Sequence, residues 1–424
     1  MDNSMEKTRG ERAVLVGLNA DCFTKTQTAT EESLEELEAL LETAGGFCTA
    51  KILQNRHTPD PHSFIGQGKA EEVRMFIEAT ESTMAIFDND LSPSQIRALE
   101  ELLGVTVLDR SALILDIFAQ RAKTKEGRLQ VELAQYKYLL PKLSGMGKSL
   151  SRQGGGIGTR GPGETKLETD RRHIRTRIER LEEELSQVRQ VRAVQRERRQ
   201  KNSVPVVAIV GYTNAGKSTL LNKLTGAGIP ANNRLFDTLD TTSRQLTVSD
   251  NLTVILSDTV GFIAKLPHHL VEAFRATLEE LEYADLLIHV IDSADPHRQE
   301  HIEVVDKLIS QLAMPGTPVI QCYNKKDLVS PEEIPVGEHV AAVSAATGEG
   351  LEGLLAMVER ELDRGLHHVR LMLPYAMGGL VETLHDGAKV LSVEYDAQGI
   401  AVEAICDEIL YGRVIQYEVK EQEG

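Results

Sequence analysis

Eight residues near the middle of the chain have the spacing of a phosphate-binding loop. Gly211, Gly216, Lys217 and Ser218 fit the pattern G-x-x-x-x-G-K-[ST], and the apolar run Val206–Val210 precedes them. In such a loop, backbone N–H groups surround the β-phosphate, the lysine reaches the β- and γ-oxygens, and the serine hydroxyl ligates Mg²⁺. The chemistry predicted here is the binding of a nucleoside triphosphate with its magnesium ion. The residues predicted to bind the phosphates are Gly211, Tyr212, Thr213, Asn214, Ala215, Gly216, Lys217 and Ser218.

A second cluster identifies the base. Asp327 ends an Asn-Lys-Lys-Asp tetrad that directly follows the apolar run Val319–Tyr323. Its carboxylate can accept hydrogen bonds from both N1–H and N2–H of guanine, whereas adenine has no matching donors on that edge. A loop after the next predicted strand is expected to offer a backbone N–H to guanine O6. GTP is therefore favoured over ATP, and the residues predicted to hold the base are Asn324, Lys325, Lys326, Asp327, Ser344, Ala345 and Ala346.

Two further segments have the residue types that respond to the γ-phosphate. Asp258 can hold the Mg²⁺ hydration shell through water, and the Gly261 N–H can contact the γ-phosphate. A threonine between the phosphate-binding loop and Asp258 is expected to give Mg²⁺ its second hydroxyl, and Thr238, Thr241 and Thr242 all qualify by composition. The predicted nucleotide-binding set is completed by Phe236, Asp237, Thr238, Leu239, Asp240, Asp258, Thr259, Val260 and Gly261.

The residue after Asp-x-x-Gly bears on hydrolysis. In Ras-like enzymes it is a glutamine that orients the attacking water, and here it is Phe262. A phenyl ring cannot hold water by hydrogen bonding, so we expect slow intrinsic hydrolysis that depends on another group or a partner. Phe262 itself either gates the nucleotide site or only packs in the segment that follows Asp258. Asn214 is a candidate substitute, because asparagine at this position can ligate a K⁺ ion that supplies positive charge; the alternative is an ordinary loop residue. The predicted catalytic residues are Asn214, Thr238 and Gly261.

Composition limits the classes of protein that can carry this site. The chain has 424 residues, enough for about three domains, and a net charge of −17. No apolar run approaches the ~18 residues that span a bilayer, and Met1–Arg12 is polar and charged. We expect a cytoplasmic monomer without a secretory signal or membrane contact. The cysteines are far apart in sequence and are expected to stay reduced: Cys22, Cys48, Cys322 and Cys406.

The elements that must position the site form an α/β multidomain chain. Apolar runs alternate with helical patterns over residues 1–122, which predicts an N-terminal α/β domain with a parallel sheet. The same alternation over 203–363 predicts the nucleotide domain. Apolar runs at 369–373, 389–395, 400–406 and 414–419, with a helix at 375–385, predict a small C-terminal α+β domain over 364–424.

A helical arm is predicted over residues 123–202. Two apolar seams with spacings of three and four residues should pair as an antiparallel hairpin. The seams are Leu129, Leu133, Tyr136 and Leu140, and Ile174, Ile178, Leu181, Leu185 and Val188. A glycine-rich loop at 144–163 joins them and contains Lys148, Arg152 and Arg160.

Charge is concentrated in this arm. Lys142–Lys201 contains 16 Lys and Arg against 8 Asp and Glu, a net charge of +8, so the rest of the chain carries −25. Basic segments with little side-chain bulk suit RNA phosphates, although a charged helix face is more often simply solvated. We expect Lys148, Arg152 and Arg160 to contact RNA.

In order and context, these elements resemble the HflX family, within the Obg-HflX group of translation-factor-related GTPases. The resemblance covers nearly the whole chain and rests on Phe236-x-Thr238-Leu239-Asp240, Asp258-Thr259-Val260-Gly261-Phe262, and above all Gly154–Glu164 before a basic helix. It implies a GTPase that contacts the large ribosomal subunit and its RNA, and that acts in translation, ribosome splitting, rescue or biogenesis. It also supports Thr238 as the magnesium ligand. The alternative is a GTP-dependent switch that acts on a protein partner without binding ribosomes.

Overall fold

The computed structural model describes residues 11–24, 27–144, 162–201, 204–226, 235–236, 242–249, 252–265, 281–363 and 366–419. Two compact units are present. The first unit contains Met1–Val188 and also Asn232–Asp240 and Val260–Thr277; the second contains Arg189–Ala231, Thr241–Thr259 and Leu278–Gly424. The four domain ranges predicted from the sequence remain a proposal.

The first unit is built on a four-stranded parallel sheet in the order β2-β1-β3-β4. Its strands are β1 (Arg12–Ala20), β2 (Phe47–Arg56), β3 (Met84–Phe87) and β4 (Thr106–Asp109). Its helices are α1 (Glu31–Ala44), α2 (Gln67–Thr80), α3 (Pro93–Leu103) and α4 (Arg110–Arg121). Strand β2 has no counterpart among the predicted elements, because Ile52 is its only buried residue and the apolar pattern of this edge strand is weak.

Local sequence signals fix where these helices begin and end. Thr30 and Ser33 form a capping box at the start of α1, and Ser92 and Gln95 form another at the start of α3. Gly104 ends α3 in the left-handed region with a φ of 71°, which glycine adopts without steric cost. Asp109 caps α4 by accepting a hydrogen bond from the Ala112 N–H at 2.9 Å.

The arm is a pair of helices, α5 (Lys125–Ser144) and α6 (Pro162–Lys201). Their predicted pairing is confirmed, because residues from both seams form one apolar cluster: Leu129, Leu133, Tyr136, Ile178, Leu181 and Leu185. A bidentate ion pair between Arg177 and Glu132, with N–O distances of 2.8 and 2.9 Å, adds to the contact. The loop with Lys148, Arg152 and Arg160 lies outside the described residues.

The second unit contains a six-stranded sheet in the order β10-β9-β8-β5-β7-β6. Its strands are β5 (Val206–Gly211), β6 (Thr242–Thr247), β7 (Thr253–Asp258), β8 (Leu286–Asp292), β9 (Val319–Asn324) and β10 (Val340–Ala342). All pairs are parallel except β6 with β7. Its helices are α7 (Lys217–Thr225), α8 (Arg298–Leu312) and α9 (Leu351–Asp363). Because β5, β7, β8 and β9 run in the same direction, their carboxyl ends and the site residues that follow them lie at one edge of the sheet.

The second unit also contains an antiparallel sheet in the order β11-β13-β12. Its elements are β11 (Leu366–Leu373), α10 (Gly378–Gly387), β12 (Lys389–Asp396), β13 (Gly399–Asp407) and α11 (Glu408–Val414). The apolar run at 414–419 is not a strand: Val414 ends α11 and a 3₁₀ turn, Ile415–Tyr417, follows. Leu410 and Val414 are one helical turn apart and both lie in the core, so helical periodicity decides this segment.

Within the described ranges, no helix is both long enough and apolar enough to cross a membrane.

Candidate functional site

The phosphate-binding loop lies between β5 and α7, and two of its glycines are sterically required. Gly211 has a φ of 154°, and a Cβ there would lie 2.3 Å from the carbonyl oxygen of Val290. Gly216 has a φ of 97°, and a Cβ there would lie 2.2 Å from Nδ2 of Asn324. Both distances are far below van der Waals contact. The loop therefore packs closely against the ends of β8 and β9.

Lys217 is a buried cation within this loop. Its side chain is 6% exposed, and its Nζ donates to the carbonyl oxygens of Gly211 at 3.1 Å and Tyr212 at 2.8 Å. Burial lowers the pKa of Lys217 to about 8, and the nearby charge of Asp258 partly opposes this shift. A buried ammonium that donates its hydrogen bonds to backbone carbonyl oxygens suits a phosphate anion, which would compensate its desolvation.

Asn214 has the backbone and exposure expected of a ligand-facing loop residue. Its φ is 62°, in the left-handed region that asparagine adopts more readily than most residues, and its side chain is exposed. Tyr212 differs, because its buried ring stacks on His301 with centroids 3.6 Å apart. Tyr212 therefore offers its backbone, rather than its side chain, to a nucleotide.

A hydroxyl and a carboxylate converge beside the loop. The Ser218 Oγ donates to Asp258 Oδ2 at 2.8 Å, and the Thr259 Oγ1 donates to the Ile209 carbonyl oxygen at 2.7 Å. In the parallel register of β5 and β7, Ile209 lies beside Asp258. This register brings Asp258 and Thr259 to the end of β5, where the phosphate-binding loop begins. Mg²⁺ prefers oxygen ligands such as hydroxyl and carboxylate groups, so the Ser218 and Asp258 side chains fit that ion. In the part of the chain that the structure describes, no cluster of three or more His, Cys, Asp or Glu forms a metal site.

Asn324 links the phosphate-binding loop to the loop predicted to meet the base. Its side chain is buried, its Nδ2 donates to the Ala215 carbonyl oxygen at 2.8 Å, and its Oδ1 accepts from the Ala345 N–H at 2.9 Å. Asn324 was predicted to bind the nucleotide, and in the structure its side chain also holds two loops together. Only the packing of β9 against both loops reveals this role.

The remaining base-binding candidates lie in a short turn. Asp327 is exposed within the 3₁₀ helix Lys326–Leu328, so its carboxylate is available to a ligand. Lys325 has a φ of 61° and is paired with Asp292, with 2.6 Å between Nζ and Oδ2. Asp292, at the end of β8, was not predicted from the sequence. It fixes the lysine that precedes the turn.

Two polar contacts hold the neighbouring parts of this loop region. Lys326 Nζ lies 2.6 Å from Glu349 Oε1. Ser344 is buried, and its Oγ accepts from the Thr347 N–H at 3.2 Å. Ala345 is buried beside it, and Ala346 is exposed.

Two segments are predicted to respond to the γ-phosphate: switch I, which contains Phe236–Asp240, and switch II, the segment from Val260 that follows Asp258. The residues of these two segments that the structure describes belong to the first unit. Phe236 is buried and its ring meets Phe118 edge-on, with centroids 4.7 Å apart. Phe262 is 2% exposed, so its ring packs inside the protein. Val260 and Gly261 begin the segment that continues to Lys265 in the same unit. Asp237, Thr238, Leu239 and Asp240, as well as the alternative Thr241, lie outside the described residues.

Together, the loop after β5, the Ser218–Asp258 pair and the Asn-Lys-Lys-Asp turn after β9 define a P-loop GTPase. Comparison with known proteins gives the same class. Family models described as GTP-binding GTPase N-terminal, GTP-binding GTPase middle region and 50S ribosome-binding GTPase match residues 31–119, 121–199 and 206–325.

Curated relatives extend this result over most of the chain. The GTPase HflX of Caldanaerobacter subterraneus subsp. tengcongensis is 50% identical over 395 residues, 93% of this chain and 90% of the relative. The GTPase HflX of Escherichia coli is 44% identical over 377 residues, 88% of this chain and 87% of the relative. A crystal structure of SsGBP with GDP is 26% identical with a TM-score of 0.49 and covers 84% of this chain and 99% of that one. The chain belongs to the HflX family of GTPases, and it is a GTP-hydrolysing enzyme.

Proposed function

We propose that this GTPase binds the large ribosomal subunit through the basic loop of its arm and acts in the cytoplasm in ribosome splitting, rescue or assembly. The observation that carries the proposal is the charge distribution: the segment Lys142–Lys201 has a net charge of +8 in a chain of −17. Proteins bind RNA phosphates largely through such clustered cations, with release of counterions. One matched family is described as a 50S ribosome-binding GTPase.

The pairing of the two arm helices suits this role. Helices α5 and α6 pair through the apolar cluster around Leu133 and Leu181 and through the Arg177–Glu132 ion pair. The segment that joins Ser144 to Pro162 therefore connects the two helices at one end of the hairpin. A glycine-rich segment at such an end has the small side chains that allow close approach to an RNA backbone.

Co-sedimentation with purified large subunits tests the proposal. We expect binding in a non-hydrolysable GTP analogue, weaker binding in GDP, and a faster GTPase rate with subunits present. The double variant Arg152→Ala/Arg160→Ala should weaken binding and reduce the salt slope by about 1 to 2. A matched control, Arg74→Ala/Lys307→Ala, removes two surface cations elsewhere and should bind as the unchanged protein does.

Two outcomes would contradict the proposal. If subunits neither bind nor stimulate the enzyme, the alternative of a GTP-dependent switch acting on a protein partner takes its place. If subunits bind but both double variants lose affinity equally, general charge rather than the arm loop accounts for binding.

Within the nucleotide site, we assign Ser218 and Thr238 as Mg²⁺ ligands, with Asp258 acting through water. The 2.8 Å contact between Ser218 and Asp258 supports the roles of these two residues. The ion would supply positive charge to the β- and γ-phosphate oxygens. Lys217 would hold the same phosphates, and the Gly261 N–H would contact the γ-phosphate.

A potassium ion is the second cofactor that we propose, with Asn214 as its ligand. The exposed side chain and left-handed backbone of Asn214 support this role. The ion would place positive charge where an arginine finger acts in other GTPases. Turnover should then be about tenfold faster in KCl than in NaCl.

Substitutions at Asn214 distinguish the effect of its side chain from the effect of its backbone conformation. Asn214→Gly removes the ligand and adopts a positive φ without strain, so it should abolish the difference between salts while it preserves GDP affinity. Asn214→Asp keeps an oxygen ligand and should preserve the difference. Equal turnover in both salts with the unchanged protein would remove potassium from the mechanism.

A further inference from the structure

A stacked pair of rings holds the residue that follows Gly211 in the phosphate-binding loop. The Tyr212 ring lies flat against the imidazole of His301 on α8, with 3.6 Å between the ring centroids and 8° between the ring planes. At this separation the two rings are in van der Waals contact. Tyr212 is only 7% exposed, so its ring cannot turn away from the stack without displacing His301.

A carboxylate fixes the orientation of this imidazole. The His301 Nδ1 lies 2.7 Å from Asp295 Oδ2, and the Asp295 Oδ1 accepts a hydrogen bond from the His297 N–H at 2.8 Å. Burial acts to raise the pKa of Asp295, but the hydrogen bonds from His301 and His297 outweigh it and hold that pKa below its usual value. Asp295 is therefore charged at neutral pH, and a charged acceptor at Nδ1 fixes the plane of the imidazole ring.

The backbone of the stacked tyrosine contacts the lysine of the phosphate-binding loop. The Tyr212 carbonyl oxygen accepts from the Lys217 Nζ at 2.8 Å and from the Ala215 N–H at 3.3 Å. Because the ring and the carbonyl belong to one residue, a ring held by His301 also restricts the peptide that holds the ammonium. A chain of contacts therefore leads from Asp295 to the cation that is expected to meet the phosphates.

The loop that provides Asp295 follows β8 and also contacts the turn predicted to bind the base. Asp292, which ends β8, has its Oδ2 2.6 Å from the Lys325 Nζ. The Ser293 N–H donates to the Asn324 carbonyl oxygen at 3.0 Å. This loop therefore supports both sides of the nucleotide site, although none of its residues belongs to the phosphate-binding or base-binding motifs.

We propose that His301 and Asp295 are positioning residues for the phosphate-binding loop and set how long a nucleotide stays bound. Asp295 fixes the imidazole of His301, and the imidazole fixes the Tyr212 ring. The Tyr212 carbonyl then keeps the Lys217 ammonium where the phosphates bind. When the stack opens, the ammonium loses this support and the nucleotide leaves faster, whereas the chemical step at a filled site is unchanged. The proposal concerns nucleotide binding alone and does not require ribosome binding.

Two substitutions at His301 distinguish the ring from its hydrogen bond. His301→Asn keeps a nitrogen donor for Asp295 and removes the ring, so it should release GDP about tenfold faster. His301→Phe keeps a flat ring against Tyr212 and loses only the bond to Asp295, so release should be about threefold faster. Stopped-flow displacement of a fluorescent GDP analogue measures these rates. Single-turnover hydrolysis at saturating GTP should keep its original rate in both variants, while the GTP concentration needed for saturation rises.

A second position and a matched control make the test specific. Asp295→Asn weakens the acceptor of His301 and should resemble His301→Phe, and adding it to His301→Asn should cause no further acceleration, because Asp295 acts through the ring. The control His339→Asn replaces another histidine beside a carboxylate, with 3.4 Å between the His339 Nδ1 and Glu361 Oε1, and should release GDP at the original rate.

Four results would overturn the positioning role. GDP release could be unchanged in both His301 variants, or His301→Phe could release GDP as fast as His301→Asn, which would remove the ring from the explanation. His339→Asn could accelerate release equally, which would indicate a general loss of stability. Hydrolysis at saturating GTP could fall in parallel with affinity, which would place His301 in the chemical step instead.

Discussion

The nucleotide-binding loops and the switch segments are stabilised in different ways. The loops around Lys217, Asn324 and Ala345 are held by contacts with one another at the ends of neighbouring strands. The switch segments are held by residues from the N-terminal part of the chain: Thr43 for Leu235, and Arg110 for Ala264. Binding and hydrolysis should therefore respond to different substitutions. Changes in the loops should alter GDP and GTP affinity together, whereas changes at the switch contacts should alter rates.

The largest effect should come from Asp327, the predicted guanine contact. Asp327→Asn replaces one of two accepting oxygens with a donor, so GTP affinity should fall by about 3 kcal/mol, or about 150-fold. Xanthosine triphosphate has a carbonyl in place of the guanine amino group, so the variant should bind it better than GTP. Competition titrations with both nucleotides measure this preference. An unchanged preference for guanine would place base recognition elsewhere.

A smaller loss of affinity is expected at the link between the two loops. Asn324→Ala leaves the Ala345 N–H and the Ala215 carbonyl without their present partner in a buried position, which costs about 1.4 to 2.8 kcal/mol. GDP and GTP affinity should both fall about tenfold to a hundredfold. Asn324→Asp keeps the acceptor for Ala345 and should be intermediate. If GTP affinity alone fell, the separation between loops and switches would be wrong.

The same difference decides what can be predicted from sequence. The P-loop residues and Asp327 are recognisable because their roles depend on local spacing after a buried strand. The pairing of the two arm helices is recognisable because their apolar seams repeat with helical periodicity. Arg110 and Asp88 follow strands of another sheet, and no spacing relates them to Lys265, which forms an ion pair with Asp88. Their partnership depends on the tertiary fold and on charge balance, which one sequence does not specify. Strand β2 was missed because its apolar pattern is weak, and the C-terminal α11 because the helix has only seven residues.

Switch I docking can be loosened without touching the loops. Phe118→Leu removes the edge-to-face contact with Phe236, which contributes about 1 kcal/mol, so transient undocking should rise about fivefold. Amide hydrogen exchange measures this at the Leu235 N–H, which donates to Thr43. The Ala345 N–H, which donates to Asn324, is the internal control and should exchange as before. Faster exchange at both amides would mean that Phe118 stabilises the whole chain rather than switch I.

The smallest effect is a dependence of affinity on pH that belongs to the loops alone. Burial lowers the pKa of Lys217 to about 8, and a bound phosphate stabilises the ammonium form. Nucleotide binding therefore takes up a proton once the pH exceeds that value, and affinity is constant below it and falls above it. GDP affinity at about pH 8.5 should be about fourfold weaker than at about pH 7.

Calorimetry at about pH 8.5 in two buffers of different ionisation enthalpy measures the proton uptake directly. In the ligand-free protein the sign is reversed: the folded pKa lies below the unfolded one, so stability rises with pH from about 8 towards about 10.4. Lys265→Met should keep the full pH dependence of GDP binding, because the lysine that titrates against the phosphate is Lys217. Loss of the dependence in that variant would assign the titration to Lys265, and no proton uptake in the unchanged protein would remove the titration altogether. Either result would break the separation between binding and hydrolysis.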